Sequence, residues 1–238
     1  MYTINITRQQ YGELTVLENL NTTINEGEFV AIMGESGSGK TTFLNLLSGI
    51  VSDFEGEIFF EETPLHKMNN RELTTFRGEK IGLIFQDFQL IDFLNVTENI
   101  LLPNPDVKKE QVHELLEKLN ILDIKDKSIL KCSGGQLQRV AIARALISGK
   151  QVILADEPTA SLDAKSSKEI MDTLKMLHEE GLTIIMITHS PQIASYASRL
   201  LYLYDGKFVS DLEFGHLPQS QRLRDTLEIV GEVYEADI

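Results

Sequence analysis

The sequence predicts an α/β fold that combines a mixed core sheet with an antiparallel β subdomain and a helical subdomain. Two continuous apolar runs, residues 151–155 and 182–188, bracket a predicted helix at 164–180, as central strands of a parallel sheet do. Short alternating segments before residue 34 indicate antiparallel strands. Residues 107–120 place their leucines and a valine on one helical face, so the middle of the chain is predicted to be helical.

The remaining elements follow from periodicity and turn residues. The first strands are predicted at residues 2–7, 20–25 and 28–33, with a loop around Tyr11 and Gly12. The third strand runs through a glycine-rich loop into a short helix at 41–48, and a further strand is predicted at 57–60. Asp205-Gly206 between 200–204 and 207–210 predicts a hairpin with a two-residue turn.

We expect one domain over residues 1–238, because the chain shows no internal repeat and no low-complexity linker. Its core comprises residues 1–86 and 151–214, and residues 87–150 form the helical subdomain. The tail at 215–238 carries acidic residues among scattered apolar ones and no motif; a short docked helix and a disordered end are both open.

Composition excludes several classes of protein. The net charge is −14, which repels a phosphate backbone, so nucleic acid is not expected as a partner. The single cysteine, Cys132, forms no internal disulfide, and the N-terminus lacks the pattern of a signal peptide, which favours a cytoplasmic location. No apolar run is long enough to span a bilayer, so we expect membrane association only through a partner and no direct insertion.

The glycine-rich loop after the third strand predicts a phosphate site. It matches the eight-position P-loop pattern between a strand and a helix, where backbone amides converge on phosphate oxygens. Lys40 supplies a point charge and the Thr41 hydroxyl is placed to ligate Mg²⁺. The loop alone does not separate a transporter motor from a kinase or a GTPase. The nucleotide-binding residues predicted here are Gly34, Glu35, Ser36, Gly37, Ser38, Gly39, Lys40, Thr41 and Thr42.

An acidic pair, Asp156-Glu157, ends the predicted strand at 151–155. Ligands of α/β sheets bind at this edge, and two carboxylates there require a cation or a proton. We expect Asp156 to hold Mg²⁺ through water and Glu157 to polarise an attacking water as the general base.

A third motif, Cys132-Ser133-Gly134-Gly135-Gln136, precedes a predicted helix and forms a second helix N-terminus suited to an anion. Lying between the P-loop and the acidic pair, it resembles the signature of ATP-binding-cassette (ABC) ATPases, over nearly the whole chain. The resemblance implies a P-loop NTPase of ABC type with a RecA-like core. It also assigns Ser133, Gly134, Gly135 and Gln136 to nucleotide contact.

Other positions are assigned only through the resemblance. Tyr11 resembles the aromatic that stacks on adenine, although packing alone would also explain a tyrosine there. Gln86 resembles the glutamine that contacts Mg²⁺ and the attacking water. Asp163, in Ser-Leu-Asp, resembles the loop that crosses the dimer interface, or it caps the next helix. His189 resembles the switch histidine that touches the γ-phosphate and acts in catalysis with Glu157 and Gln86.

One position departs from the family, because the first residue of the signature is usually leucine and here is Cys132. A helix N-terminus favours thiolate, so one expectation is a reactive thiol at the dimer interface. The alternative is a cysteine buried beneath the signature turn.

The resemblance implies an ATP hydrolase that uses ATP and Mg²⁺ and works as a homodimer, in which each signature completes the other chain's P-loop. Its partners would be integral membrane subunits, and its place the inner face of the cell membrane. The nearest subfamily comprises macrolide exporters, lipoprotein-release systems and antimicrobial-peptide resistance pumps, which export substrates or transmit mechanical work. Apolar side chains after Gln86 are expected to form part of the exposed coupling surface: Phe88, Leu90, Phe93 and Leu94.

Two other functions stay open at this point. One is a regulator whose dimerisation controls a cell-wall hydrolase or a sensor through a membrane partner. The other is a DNA-repair ATPase, which the negative charge and the lack of a long heptad insertion disfavour.

Overall fold

The computed structural model describes residues 1–236. Its ten strands are β1 (Tyr2–Tyr11), β2 (Leu14–Ile24), β3 (Phe29–Met33), β4 (Glu55–Phe60), β5 (Thr63–Pro64), β6 (Ile81–Ile84), β7 (Val152–Asp156), β8 (Thr183–Ile187), β9 (Arg199–Tyr204) and β10 (Lys207–Glu213). The α-helices are α1 (Lys40–Leu47), α2 (Asn70–Lys80), α3 (Val96–Leu101), α4 (Lys109–Lys118), α5 (Gly134–Leu146), α6 (Ala164–Glu179), α7 (Pro191–Ala194) and α8 (Gln219–Ala236).

The larger sheet has six strands in the order β10-β9-β3-β8-β7-β6. Strands β9, β3, β8, β7 and β6 run parallel, and only the β9–β10 pair is antiparallel. All five residues of β3 and of β8 are buried. Both faces of this sheet are covered, which explains why its strands are continuously apolar rather than alternating. The mixed core sheet predicted from the sequence is confirmed.

The smaller sheet is antiparallel, with four strands in the order β2-β1-β4-β5. Tyr2, Ile4 and Ile6 alternate on one face of β1 and are buried. They join a hydrophobic cluster with Val30 and Ile32 of β3 and with the apolar face of α1. The other face of β3 packs into a second cluster that includes residues of α4, α5 and α6. The strand that leads into the P-loop is therefore fixed by a core on each side.

Arg199, on β9, joins the two sheets. Its guanidinium donates to both carboxylate oxygens of Asp211 on β10 at 2.7 and 2.6 Å, and to Glu28 at 3.4 Å. Two further hydrogen bonds reach β2, to the carbonyl of Thr23 at 2.7 Å and the hydroxyl of Thr22 at 3.1 Å. Its side chain is 9% exposed, so these partners replace most of its water.

Several predicted bounds were wrong. The first strand continues to Tyr11 rather than ending at residue 7, and the second begins at Leu14 rather than at residue 20. Sequence reasoning missed α2, β6 and α3, because none of them has a long periodic run. The predicted hairpin at Asp205-Gly206 is confirmed, with φ of 42° and 71° at the two turn residues, as a type I′ turn requires.

The tail forms a helix, α8, that packs on α7. Arg222 anchors it by donating to the carbonyls of Ala197 at 2.7 Å and of Leu217 at 2.8 Å. Of the predicted 215–238 tail, Asp237 and Ile238 lie outside the described residues. Over residues 1–236, none of the helices combines the length and apolar character needed to cross a bilayer.

Candidate functional site

The P-loop connects β3 to α1, and two of its glycines, Gly34 and Gly39, are required by close packing. A Cβ on Gly34 would lie 2.0 Å from the carbonyl oxygen of Leu203, and one on Gly39 would lie 2.6 Å from a methyl of Leu17. Gly39 also has φ of 102° at the N-terminus of α1, a conformation that side-chain-bearing residues rarely adopt. The loop can therefore turn tightly and present its amides at a helix N-terminus, as an anion site requires.

Lys40 lies within this loop, where its ammonium donates to the carbonyls of Gly34 at 3.0 Å and Glu35 at 2.6 Å. Burial lowers the pKa of Lys40, while the charges of Glu157, Asp156 and Glu35 act in the opposite direction. The lysine thus carries its charge where the loop, the acidic pair and β3 meet.

Asp156 ends β7 and accepts a hydrogen bond of 3.1 Å from the Thr41 hydroxyl of α1. Burial raises the pKa of Asp156, and the charge of Glu157 adds to this effect, whereas the Thr41 hydrogen bond and Lys40 lower it. A carboxylate beside a hydroxyl is a fitting partial ligand set for Mg²⁺, which takes its remaining oxygens from water and phosphate. Residues 1–236 contain no group of three or more His, Cys, Asp or Glu suited to a metal ion.

Glu157 and His189 form a hydrogen-bonded pair, with 2.9 Å between Glu157 Oε1 and His189 Nδ1. Glu157 has φ of 48°, and its amide donates to the carbonyl of Ile187 at the end of β8, at 3.1 Å. This left-handed backbone turns the chain sharply after β7. The side chains of Glu157 and His189 are 16% and 70% exposed, so the carboxylate is shielded while the imidazole remains accessible.

Gln86 follows β6, whose Ile84 pairs with Ala155 of β7, so it lies at the same sheet edge as Asp156. The Ser161 hydroxyl donates to the Gln86 carbonyl at 3.3 Å. Asp163 caps α6 by accepting from the amides of Lys165 and Ser166, each at 3.0 Å. The helix-capping interpretation of Asp163 is therefore confirmed; its predicted place at a dimer interface stays a prediction.

The signature turn caps α5. Ser133 accepts from the Gln136 amide at 3.4 Å, and the Gln136 side chain accepts from the Ser133 amide at 3.0 Å. A Cβ on Gly134 would lie 3.1 Å from Leu162, and one on Gly135 would lie 3.2 Å from the hydroxyl of Ser166. The turn thus packs on the segment around Asp163 in its own chain, and its two glycines permit that approach.

Tyr11 ends β1, pairs with Leu14, and is 52% exposed. An exposed ring in a hairpin beside the P-loop is compatible with stacking on a base.

The environment of Cys132 does not favour a reactive thiolate. Burial raises the pKa of the Cys132 thiol, and the charge of Lys127 opposes this only in part. Its thiol donates to the carbonyl of Ser128 at 3.5 Å. These contacts favour the alternative of a thiol packed beneath the signature turn, and the reactivity of Cys132 stays a prediction.

The segment at residues 85–95 between β6 and α3, here termed the Gln86 loop, bears the predicted coupling residues. Phe93 is 87% exposed, whereas Phe88 and Leu94 are half-buried and Leu90 packs against the core. Of the four side chains expected to be exposed, only Phe93 is fully so. Phe88, Leu90 and Leu94 are half-buried, and their part in a coupling surface stays a prediction.

Sequence reasoning missed Asn99, which is fully buried. Its side chain accepts from the amide of Ile91 at 2.7 Å and donates to the carbonyls of Ile91 at 3.1 Å and Asn95 at 3.0 Å. The preceding Thr97 and Glu98 are polar as well, so no local pattern marks Asn99 as buried. Its role is visible only from the backbone groups that its side chain satisfies.

Fold and site together define a P-loop ATPase of the cassette type: a nucleotide-binding loop, an acidic pair and a signature turn on one mixed sheet. The model of the ABC transporter family matches residues 17–160, and the chain belongs to that family. A model described as an AAA domain, putative AbiEii toxin, Type IV TA system matches the shorter segment 133–195.

The chain is similar to two export proteins. It is 40% identical to the bacitracin export ATP-binding protein BceA of Halalkalibacterium halodurans, over 91% of this chain and 88% of that protein. It is 43% identical to the macrolide export ATP-binding/permease protein MacB of Campylobacter jejuni, over 84% of this chain but only 32% of MacB. These relatives confirm the predicted subfamily.

Among solved structures, the chain is similar to a dimeric post-hydrolysis state of the ATP-binding cassette MJ0796 bound to ADP and Pi. The TM-score is 0.81 at 36% identity, over 91% of this chain and all of that one. This similarity confirms the fold class predicted from the sequence.

Proposed function

We propose that this chain binds ATP with Mg²⁺ and hydrolyses it, with Glu157 as the general base and His189 and Gln86 positioning the reacting groups. The observation that carries the proposal is the line of side chains along one sheet edge. Thr41 bonds Asp156 at 3.1 Å, and the next residue, Glu157, bonds His189 at 2.9 Å. The proposed metal ligands and the proposed base therefore lie side by side at the mouth of the P-loop.

Each of these residues has a defined task. Lys40 and the loop amides bind the phosphates. Thr41 and Asp156 would hold Mg²⁺, which would supply positive charge to offset that of the phosphates. Glu157 accepts the proton of the attacking water, and His189 orients its carboxylate through their hydrogen bond. Tyr11 stacks on the base from the β1–β2 hairpin.

We further propose that two copies sandwich the nucleotide, with Ser133, Gly134, Gly135 and Gln136 of one chain completing the P-loop of the other. One P-loop and one signature per chain support this arrangement, and MJ0796, a similar cassette, is dimeric. Asp163 and its neighbours then lie near the contact, because they pack directly against the signature turn.

In this proposal the dimer drives integral membrane subunits, so the chain is held at the inner face of the membrane by its partners. The support is similarity to BceA and MacB, two export proteins, together with the exposed Phe93 beside Gln86. The membrane subunits determine which substrate is exported or which extracellular domain is moved.

The test is Glu157→Gln, which keeps the shape of the side chain and removes its basicity. We expect kcat to fall by about 10²- to 10⁴-fold, and the variant to accumulate as an ATP-bound dimer in size-exclusion chromatography with light scattering. The trapped dimer should also retrieve an integral membrane protein from solubilised membranes.

Two controls make the result specific. Lys40→Ala should remain monomeric, because the phosphates lose their cation. Glu61→Gln is the matched control, since Glu61 also has a left-handed backbone, with φ of 55°, but lies in the β4–β5 turn away from the site. Hydrolysis by Glu157→Gln within a few-fold of the parent rate would refute Glu157 as the base, and His189 or Gln86 would then have to carry more of the positioning of the attacking water.

A further inference from the structure

The Gln86 loop contains two adjacent residues in an unfavourable backbone conformation. Phe88 has φ of 61° and Gln89 has φ of 49°. Non-glycine residues seldom adopt this left-handed region, and a bulky residue such as phenylalanine does so rarely. Such a conformation persists only where surrounding contacts hold it, so the contacts of this pair are informative.

Arg144, near the end of α5, makes those contacts. Its guanidinium donates to the carbonyl of Phe88 at 2.8 Å and also to the carbonyl of Gln89. The residue is half-buried, and burial lowers the pKa of its guanidinium. One planar guanidinium thus bonds to both carbonyls of the strained dipeptide, with its two donors held in a fixed geometry.

The rest of the loop is fixed on either side of this dipeptide. Ser161 holds the carbonyl of Gln86 on one side. Asn99 holds Ile91 and Asn95 on the other. Arg144 supplies the contact in between, at the place where the backbone is strained, and links the helix of the signature turn directly to the loop that carries Gln86 and Phe93.

We propose that Arg144 is a positioning residue that holds Phe88 and Gln89 in the left-handed conformation and thereby sets the place of Gln86 in the site. The inference rests on the proposed function for the role of Gln86. Because Arg144 belongs to α5, any displacement of the signature turn moves the Gln86 loop through the same two hydrogen bonds.

The first experiment measures the loop itself, by amide hydrogen exchange of Arg144→Gln without nucleotide. Amides at Phe88, Gln89 and Ile91, which are hydrogen-bonded in the loop, should exchange about 10-fold faster or more, because the loop opens locally at lower cost. Arg139→Gln is the matched control, since Arg139 lies on the same helix but pairs with Glu169 of α6. Its loop should exchange as in the parent.

The second experiment tests whether conformational strain is the reason. Glycine adopts φ near 50° without penalty, whereas alanine does not. In the Arg144→Gln background, Gln89→Gly should restore slow exchange and part of the thermal stability, and Gln89→Ala should not. If Arg144→Gln does not fold, the same comparison is made on the yield of folded double variants.

The third readout is kinetic. Misplacing Gln86 should lower kcat for ATP hydrolysis by about 10- to 10²-fold, with KM for ATP within about two-fold of the parent because the P-loop lies on other elements. Unchanged amide exchange in Arg144→Gln overturns the proposal. So does recovery of slow exchange with both Gln89→Ala and Gln89→Gly, or with neither of them. A parent protein without ATPase activity contradicts the proposed function instead, since the exchange and stability measurements need no turnover.

Discussion

Arg199→Met should destabilise the protein strongly, because it removes a buried side chain that makes polar contacts between the two sheets. The arginine makes five hydrogen bonds, two to Asp211 and one each to Glu28, Thr22 and Thr23, with 9% of its side chain exposed. Methionine keeps the length and apolar stem but none of these donors, so the Thr23 carbonyl and the carboxylates lose their partner.

The size of the effect follows from this burial. Breaking a buried ion pair by removing one partner costs about 3–5 kcal/mol. The arginine is buried, but Asp211 is 45% and Glu28 22% exposed, so the carboxylates regain water and the cost lies near the lower end, about 3 kcal/mol. Each kcal/mol lowers the melting temperature of a chain this long by about 2–4 °C, so we expect Tm to fall by about 6–12 °C. KM for ATP should also rise, because the sheet that carries Tyr11 is held less firmly to the sheet that carries the P-loop.

A matched control lies on the same elements. Lys207 of β10 pairs with Glu18 of β2 at 3.0 Å, but the two side chains are 53% and 46% exposed. Lys207→Met should cost no more than about 1 kcal/mol. Urea unfolding of both variants, with unchanged m-values, gives the two free energies directly. Equal costs would show that burial of the Arg199 network does not determine its contribution.

Three further outcomes are expected. Lys150 is 8% exposed and its ammonium has no hydrogen-bond partner among the described residues, so Lys150→Met should stabilise the protein by about 1–3 kcal/mol in urea unfolding. Burial lowers the pKa of Lys150, so the folded state binds fewer protons than the unfolded state. The stability of the parent therefore rises with pH between the lowered pKa and the ordinary pKa of lysine. The stability advantage of Lys150→Met should shrink over this pH range, and a constant difference between variant and parent would contradict the explanation. Cys132 should react slowly with a maleimide at neutral pH, equally with and without ATP, because burial raises its pKa; protection by ATP would instead place it at the interface. Phe93→Asp should leave Tm and the ATPase of the isolated chain unchanged, because Phe93 is 87% exposed, but abolish transport in cells; unimpaired transport would exclude Phe93 from the coupling surface.

The core of the fold was predictable from sequence because its signals are local. Buried parallel strands such as β7 and β8 are continuous apolar runs, and the turn at Asp205-Gly206 has residues that its conformation demands. Strand β6 was missed because its four residues include a glycine. That glycine is explained only by packing: a Cβ on Gly82 would lie 2.4 Å from the Ile153 side chain.

The candidate site was predictable in its motifs and not in its contacts. Spacing places Lys40 and Thr41 in one loop, and strand order places Asp156 beside it. Three contacts join residues far apart in sequence: Gly34 with Leu203, Glu157 with His189, and Arg144 with the Gln86 loop. Nothing in a local pattern specifies such distances, so they required the three-dimensional structure.

The backbone of Glu157 has a consequence for protein engineering. Its φ of 48° is a conformation that glycine adopts more easily than any other residue. A selection for thermal stability alone would therefore favour glycine at this position. Under the proposed role of Glu157, the selected variants would be more stable but catalytically inactive. Mutant libraries designed to raise the thermal stability of this protein should keep Glu157 unchanged and vary other positions.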